Sequence, residues 1–214
     1  MTGAAAGLAW LIAIFVAISL LWRLFSQRRT LPCPSWLGWM VERENPFART
    51  HRADFIVRQM RLDTGMQVLD AGCGPGRLSL PLALAVGPEG EVVAADLQAG
   101  MLARVDAKAR QAGIDNICTR MTALGQGTLE SKRYDRVVMA AVLGEIPDQG
   151  AALAELFVSL KPGGLLAVAE LIFDPHFQRR SHVRAQAEAA GFREKAHFGH
   201  AIAYLTLFER PTGH

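Results

Sequence analysis

The chain has 214 residues, half of them hydrophobic, with a formal charge of +3 and three cysteines. That length suits one domain of ordinary size plus an appendage, and a charge so modest, without a basic block interleaved with aromatics, argues against a nucleic-acid surface. Cys33, Cys73 and Cys118 are widely separated and form no CxxC pair, which fits a reduced compartment better than a disulfide framework or a metal site.

From Gly3 to Trp22 no residue is charged, and about 20 apolar residues at ~1.5 Å each can cross a ~30 Å hydrocarbon core. A helix apolar all round needs a membrane or a large core around it. A cleaved signal peptide would carry a basic n-region, whereas here Arg23, Arg28 and Arg29 follow the run. The pattern predicts one transmembrane anchor over residues 1–24, with the rest of the chain facing the cytoplasm. Residues 25–46 read as a connector, broken by Pro32 and Pro34. Its Trp36, Trp39 and Met40 fit either a segment at the headgroup layer or a cap on the folded domain.

The third segment, 47–214, alternates elements. Phe47–Leu62 has the spacing of an amphipathic helix, and Met66–Leu69 that of a strand buried on both faces. A glycine-rich turn leads to a helix ending at Val86. Strand two covers Glu91–Ala95, followed by a helix over Gln98–Ala112 with Gly113 as its C-cap. Strand three covers Asn116–Met121 and strand four Tyr134–Ala141. Asp148 is placed to cap a helix reaching Leu160. Lys161-Pro162-Gly163-Gly164 reads as a turn before strand five, Leu165–Ala169. A last helix over Phe177–Ala190 precedes two runs, Arg193–Phe198 and Ala201–Phe208, spaced as a hairpin. The predicted fold is α/β: a doubly wound, mainly parallel, seven-stranded Rossmann-like sheet with an antiparallel terminal hairpin.

The chemistry centres on Val68-Leu69-Asp70-Ala71-Gly72-Cys73-Gly74-Pro75-Gly76-Arg77-Leu78. A strand, a tight glycine turn and a helix N-terminus form the nucleotide-binding corner of such sheets. A dinucleotide fingerprint counted from Gly72 needs glycine where Arg77 stands, so the spacing argues against a nicotinamide cofactor. The pattern is instead acid-x-Gly-x-Gly-x-Gly, with Asp96 about 20 residues beyond Gly76.

This combination, with AADLQAGML, YDRVVMAAVLGEIPD and LKPGG downstream, resembles the class I S-adenosylmethionine-dependent methyltransferases from about Phe47 to Arg210. The resemblance implies S-adenosylmethionine as cofactor and assigns a binding set. Gly72, Cys73, Gly74 and Gly76 would bring backbone to its methionine portion, and Asp70 would sit near its amino group, directly or through water. Asp96 would accept from both ribose hydroxyls, a task that suits an acceptor-only carboxylate. Leu97 would pack on adenine. Thr122 stands where the family commonly has an acid for the adenine amino group, and its hydroxyl or the Ala123 backbone would serve instead. Ala141, after strand four, completes the set.

The acceptor would lie above the carboxyl ends of strands one, four and five, near Val142, Leu143, Gly144 and Glu145, with Glu170, Asp174 and His176 after strand five. Glu145 and His176 are the candidate catalytic residues for proton handling or orientation. His197 and His200 are expected to be structural, and Gln178-Arg179-Arg180 to be solvated or to meet anionic headgroups. Among familiar groups the chain is most similar to quinone-biosynthesis C-methyltransferases and related small-molecule enzymes. With the predicted anchor this implies a membrane partner and a hydrophobic or lipid-like acceptor, a quinone precursor or phospholipid amine. Two alternatives stand beside it: a membrane-bound S-adenosylmethionine sensor or scaffold without turnover, and an enzyme acting on a soluble small molecule.

Overall fold

Runs such as Val68-Leu69 and Val92-Val93-Ala94-Ala95 are too apolar to face water on either side, and they form the centre of one sheet. The computed structural model describes residues 48–213 and, ahead of them, Gly7, Trp10 and Ile14, which are helical and exposed. The rest of the predicted anchor (1–24) and connector (25–46), with Phe47, lies outside the described residues. Among the described residues no helix is long and apolar enough to cross a membrane.

The strands are β1 (Gln67–Ala71), β2 (Glu91–Asp96), β3 (Ile117–Met121), β4 (Tyr134–Ala140), β5 (Leu160–Leu171), β6 (Arg193–His200) and β7 (Ala203–Glu209). The helices are α1 (Ala53–Met60), α2 (Ser79–Val86), α3 (Ala99–Ala112), α4 (Gln149–Ser159) and α5 (Arg180–Ala189). The sheet order is β3-β2-β1-β4-β5-β7-β6. β1 pairs in parallel with both β2 and β4, so the winding reverses between β1 and β4, where ligands of such sheets bind. β7 runs antiparallel between β5 and β6.

Strand alternation divides the core. Leu69, Val137, Leu166 and Val168 pack with Leu153, Leu156, Val183 and Phe208 on one face. Val68, Val92, Val138 and Ala167 pack with Ile56, Met60, Leu82 and Val86 on the other. Two helix ends follow the sequence closely: Asp148 Oδ1 accepts from Ala151 N at 2.8 Å to cap α4, and Gly113, at φ 64°, ends α3.

Three boundaries differ from the expectation, each for a tertiary reason. The Lys161–Gly164 stretch belongs to β5, because Gly163 N donates to Arg210 O (2.8 Å) and Arg210 N returns a bond to Gly164 O (2.9 Å). The added residues are absorbed where the register jumps from Tyr134↔Leu160 to Arg136↔Leu165, a bulge rather than a turn. The first helix is shorter than Phe47–Leu62: a 3-10 turn, Arg49–His51, precedes α1, and Arg61 ends it in the left-handed region. The last helix starts at Arg180 instead of Phe177: Gln178 O, which would accept the first helical bond, is occupied by Tyr204 Oη at 2.9 Å, and the ladder begins only with Val183 N donating to Arg179 O at 3.1 Å.

Candidate active site

The glycine loop is fastened by its own backbone. Gly72 N and Cys73 N both donate to Ala95 O, at 2.8 and 2.9 Å. Gly74 N donates to Asp96 Oδ2 and Gln98 N to Asp96 Oδ1, each at 2.9 Å. A carboxylate oxygen accepts two bonds, so both Asp96 oxygens keep capacity for a ligand's hydroxyls. Gly72, at φ 76°, faces the loop after β4 so closely that a Cβ would come within 2.5 Å of the Val142 methyls. A Cβ on Gly74, at φ 51°, would meet nothing within 4 Å. The loop is thus packed on one side and open on the other, a cradle into which a ligand can descend onto bare backbone.

Asp70 is buried at the end of β1 and accepts from Ser79 Oγ at 2.6 Å. Burial pushes its carboxyl up to about 6; the Ser79 bond and Arg77 oppose that rise, and the Asp96 charge adds to it. A carboxylate so short of compensation favours a cation beside it. Cys73 is buried, and burial pushes its thiol well above the usual range, Asp70 and Asp96 adding to the effect. Its side chain packs with Ala94, Leu102 and Val105 and its Sγ donates to Gly74 O at 3.5 Å, so what Cys73 has left for a ligand is backbone. Arg77 Nη1 donates to His51 O at 2.7 Å, tying the entry of α1 to the loop. His51 stays neutral, its pKa lowered to about 3 by burial and by Arg77.

Leu97 follows β2 and is 56% exposed. Thr122 and Ala123 follow β3, whose Met121 lies beside Asp96 in register. Thr122 N donates to Asp96 O at 3.1 Å, and its hydroxyl lies 2.5 Å from that of Thr128. A hydroxyl has one donor and two acceptor positions, so this contact leaves Thr122 able to take another.

The loops after β4 and β5 make the second half. Ala141 leaves β4 at φ 58° while its N–H donates to Ala169 O at 2.9 Å. A 3-10 turn, Leu143–Glu145, follows. A Cβ on Gly144 would stand 1.9 Å from His176 O, so only glycine lets the two loops approach this closely. Glu145 Oε1 and Asp174 Oδ1 lie 3.8 and 4.0 Å from His176 Nδ1, and His176 N donates to Asp174 Oδ1 at 2.7 Å. The candidate pair therefore meets, within ion-pair reach and beyond hydrogen-bond length. Glu170 is buried at the end of β5, and burial, with Asp174 and Glu145 adding to it against the Gln178 N–H, pushes its carboxyl up to about 8.

His197 Nδ1 lies 3.2 Å from Thr206 Oγ1 on the hairpin, a structural contact as expected. The Gln178–Arg180 run is not solvated throughout: Gln178 and Arg180 are half-buried, and Arg180 pairs with Glu194. Sequence reasoning misses Ser79 and Tyr204, and places Gln178 only in a solvated or headgroup-facing run. Their only signal is position, since Ser79 opens the helix after the glycine loop and Tyr204 is the cross-strand neighbour of Glu170.

A doubly wound sheet with this loop and acid at its switch point is the fold of a class I methyltransferase. A family profile described as "Methyltransferase domain" matches residues 62–203, and the chain belongs to that family, with S-adenosylmethionine as its cofactor. It is 35% identical over 118 residues to a ubiquinone/menaquinone biosynthesis C-methyltransferase, UbiE, of Coxiella burnetii, covering 55% of this chain and 47% of that protein. It is 32% identical over 150 residues to an arsenite methyltransferase of Aquipseudomonas alcaligenes, covering 66% of this chain and 43% of that one. The chain thus spans less than half the length of both relatives. A SAM-dependent methyltransferase from Aquifex aeolicus shares the fold, with a TM-score of 0.74 at 20% identity over 83% of this chain and 98% of the other.

Proposed function

We propose that the chain transfers a methyl group from S-adenosylmethionine to a hydrophobic or lipid-like small molecule, such as a quinone precursor, while held at a membrane with its folded domain on the cytoplasmic side. The observation that carries the cofactor half is Asp96, whose two oxygens are fixed by Gly74 N and Gln98 N yet keep lone pairs for a ribose diol. Backbone at Gly72, Cys73, Gly74 and Gly76 would hold the methionine portion, and Asp70 its ammonium group. Leu97 would cover the adenine ring, Thr122 and Ala123 would meet its edge, and Ala141 would close the site beside β4. When bound, the cofactor supplies a methyl group already activated by a sulfonium charge.

The chain's own work is then positioning, since a well-oriented pair gains roughly 7–11 kcal/mol over free encounter. Val142 and Gly144 bring the post-β4 loop onto the glycine loop and the His176 loop, which fixes the two loops relative to the cofactor cradle. Where the acceptor must lose a proton, His176 would take it, with Glu145 and Asp174 stabilising the resulting imidazolium.

The hydrophobic acceptor is supported by the uncharged stretch Gly3–Trp22, by its flank Arg23, Arg28 and Arg29, and by the quinone-pathway name of the Coxiella relative. Phe173 and Ile202, both exposed, add support: Ile172 N donates to Ile202 O at 2.8 Å, which brings these apolar tips together beyond β5. An anchored enzyme meets a lipid-dissolved substrate at raised effective concentration.

The test uses the full chain in membranes, S-adenosylmethionine labelled in its methyl group, and a total lipid extract of the source cell. Label should enter the organic phase and be absent with Asp96→Ala. Cofactor binding without organic label overturns the lipid acceptor and leaves a soluble acceptor or a non-catalytic sensor.

A further inference from the structure

We infer that Glu170 and Tyr204, paired across β5 and β7, are positioning residues that clamp the loop carrying Asp174 and His176 against the post-β4 loop, and that Glu170 does so as a neutral carboxyl.

Gln178 is the point they grip. Glu170 Oε2 accepts from Gln178 N at 3.0 Å, and Tyr204 Oη donates to Gln178 O at 2.9 Å. The two side chains come from directly opposite register positions and so reach the two ends of one residue. Gln178 passes the hold onward, its Nε2 donating to His176 O at 2.7 Å. That same carbonyl is the one Gly144 packs beneath. The Phe177 ring meets Tyr204 edge-on at 6.2 Å and packs against the clamp. The hold therefore runs from the interior of the sheet to the face where Glu145 and His176 meet.

The protonation state follows from the surroundings. Glu170 Oε1 is buried without a hydrogen-bond partner among the described residues, and an isolated buried carboxylate is costly. Asp174 from its own loop and Glu145 from the 3-10 turn both oppose a third negative charge there. Tyr204 on β7 and His197 on β6 have their rings 6.0 Å apart, and burial lowers the His197 pKa, so the pair supplies no positive charge at the pH where Glu170 titrates. Arg180 at the start of α5 is engaged with Glu194 on β6. Ionisation of Glu170 as pH rises through about 8 adds repulsion from Asp174 and Glu145 and loosens the loop. Glutamine keeps an acceptor for Gln178 N and cannot ionise.

That this loop borders the methyl acceptor rests on the proposed function; the clamp itself can be read with no acceptor present. Amide hydrogen exchange of the 171–179 segment would be followed in the full chain across pH values spanning about 8, corrected for intrinsic rates, with S-adenosylmethionine binding measured alongside. Wild type should lose protection in this segment, by about tenfold or more above the transition. Glu170→Gln should stay protected throughout, and Tyr204→Phe should be less protected at every pH, both binding the cofactor as wild type does. Equal pH dependence in wild type and Glu170→Gln overturns the neutral-carboxyl role, and full protection in Tyr204→Phe overturns the clamp. Loss of cofactor binding in wild type would count against the proposed function instead, and would leave the exchange result standing.

Discussion

Along the carboxyl edge of the sheet, β1 and β2 end in a loop tied by main-chain amides, whereas β4 and β5 end in two loops held by side chains. The first half uses Gly72, Cys73 and Gly74 N–H groups directed to Ala95 O and the Asp96 carboxylate. Gly72 and Gly74 stand at positive φ, and glycine alone meets that backbone without a Cβ, so this half has little freedom of composition. The second half depends on Glu170, Gln178, Tyr204 and the close fit of Gly144 to His176 O. A main-chain site leaves a spacing that can be read along the chain; a side-chain site leaves only residues that become neighbours after folding.

Two glycine substitutions separate the halves most sharply. Gly144→Ala forces a Cβ onto the His176 carbonyl, and overpacking of this kind costs about 1–3 kcal/mol. Urea denaturation should show that loss, and methyl transfer should collapse while cofactor affinity holds. Gly74→Ala meets no neighbour and should cost stability only the left-handed strain of about 1–2 kcal/mol, yet it places a methyl group in the cradle and should weaken S-adenosylmethionine binding. If calorimetry finds both variants binding alike, the division between halves fails.

Asp96→Asn ranks next. The amide retains a single acceptor oxygen, so either Gly74 N or Gln98 N loses its partner along with one ribose contact. Hydrogen bonds to a charged group contribute about 1.5–3 kcal/mol, so affinity should fall about 10- to 150-fold. An unchanged dissociation constant in the folded variant would remove Asp96 from the site.

Acidity gives a subtler contrast. Burial raises Asp70 to about 6, so below that pH it is largely protonated and offers no charge to the cofactor's ammonium. Affinity should rise as pH increases through about 6 and level off above it, and Asp70→Asn should flatten the curve. The smallest effect belongs to Thr122→Val, which removes one neutral hydroxyl of about 0.5–1.5 kcal/mol. A two- to tenfold loss of affinity, about what that range converts to, would place Thr122 on the adenine; no change would assign the contact to the Ala123 backbone.

The strands were legible because β1, β2 and β4 are apolar on both faces, and the glycine loop because its dihedrals demand its residue type. Asp148 and Gly113 were readable as caps for the same local reason. The Lys161–Gly164 stretch was not, since its conversion from turn to strand is imposed by Arg210, which no local pattern announces. Nor was the late start of α5 visible: Phe177-Gln178-Arg179 suits a first helical turn, but Tyr204, distant along the chain, occupies the Gln178 carbonyl. Glu145 and His176 were reachable as residues following strands four and five, whereas the Ser79 partner of Asp70 and the Tyr204 hold on Gln178 exist only in three dimensions.

The insertion of β7 between β5 and β6 also bears on synthesis. While the chain leaves the ribosome, β5 emerges with its partner strand still unmade, and the edge from Leu165 to Leu171, later matched to Glu209 through Ala203, is left open. β6 cannot close it, because it reaches the sheet only through β7. An unpaired apolar edge is a template for intermolecular pairing. The nascent protein is therefore most exposed to aggregation in the interval between the translation of β5 and that of β7, and a chaperone that shields this edge would act there.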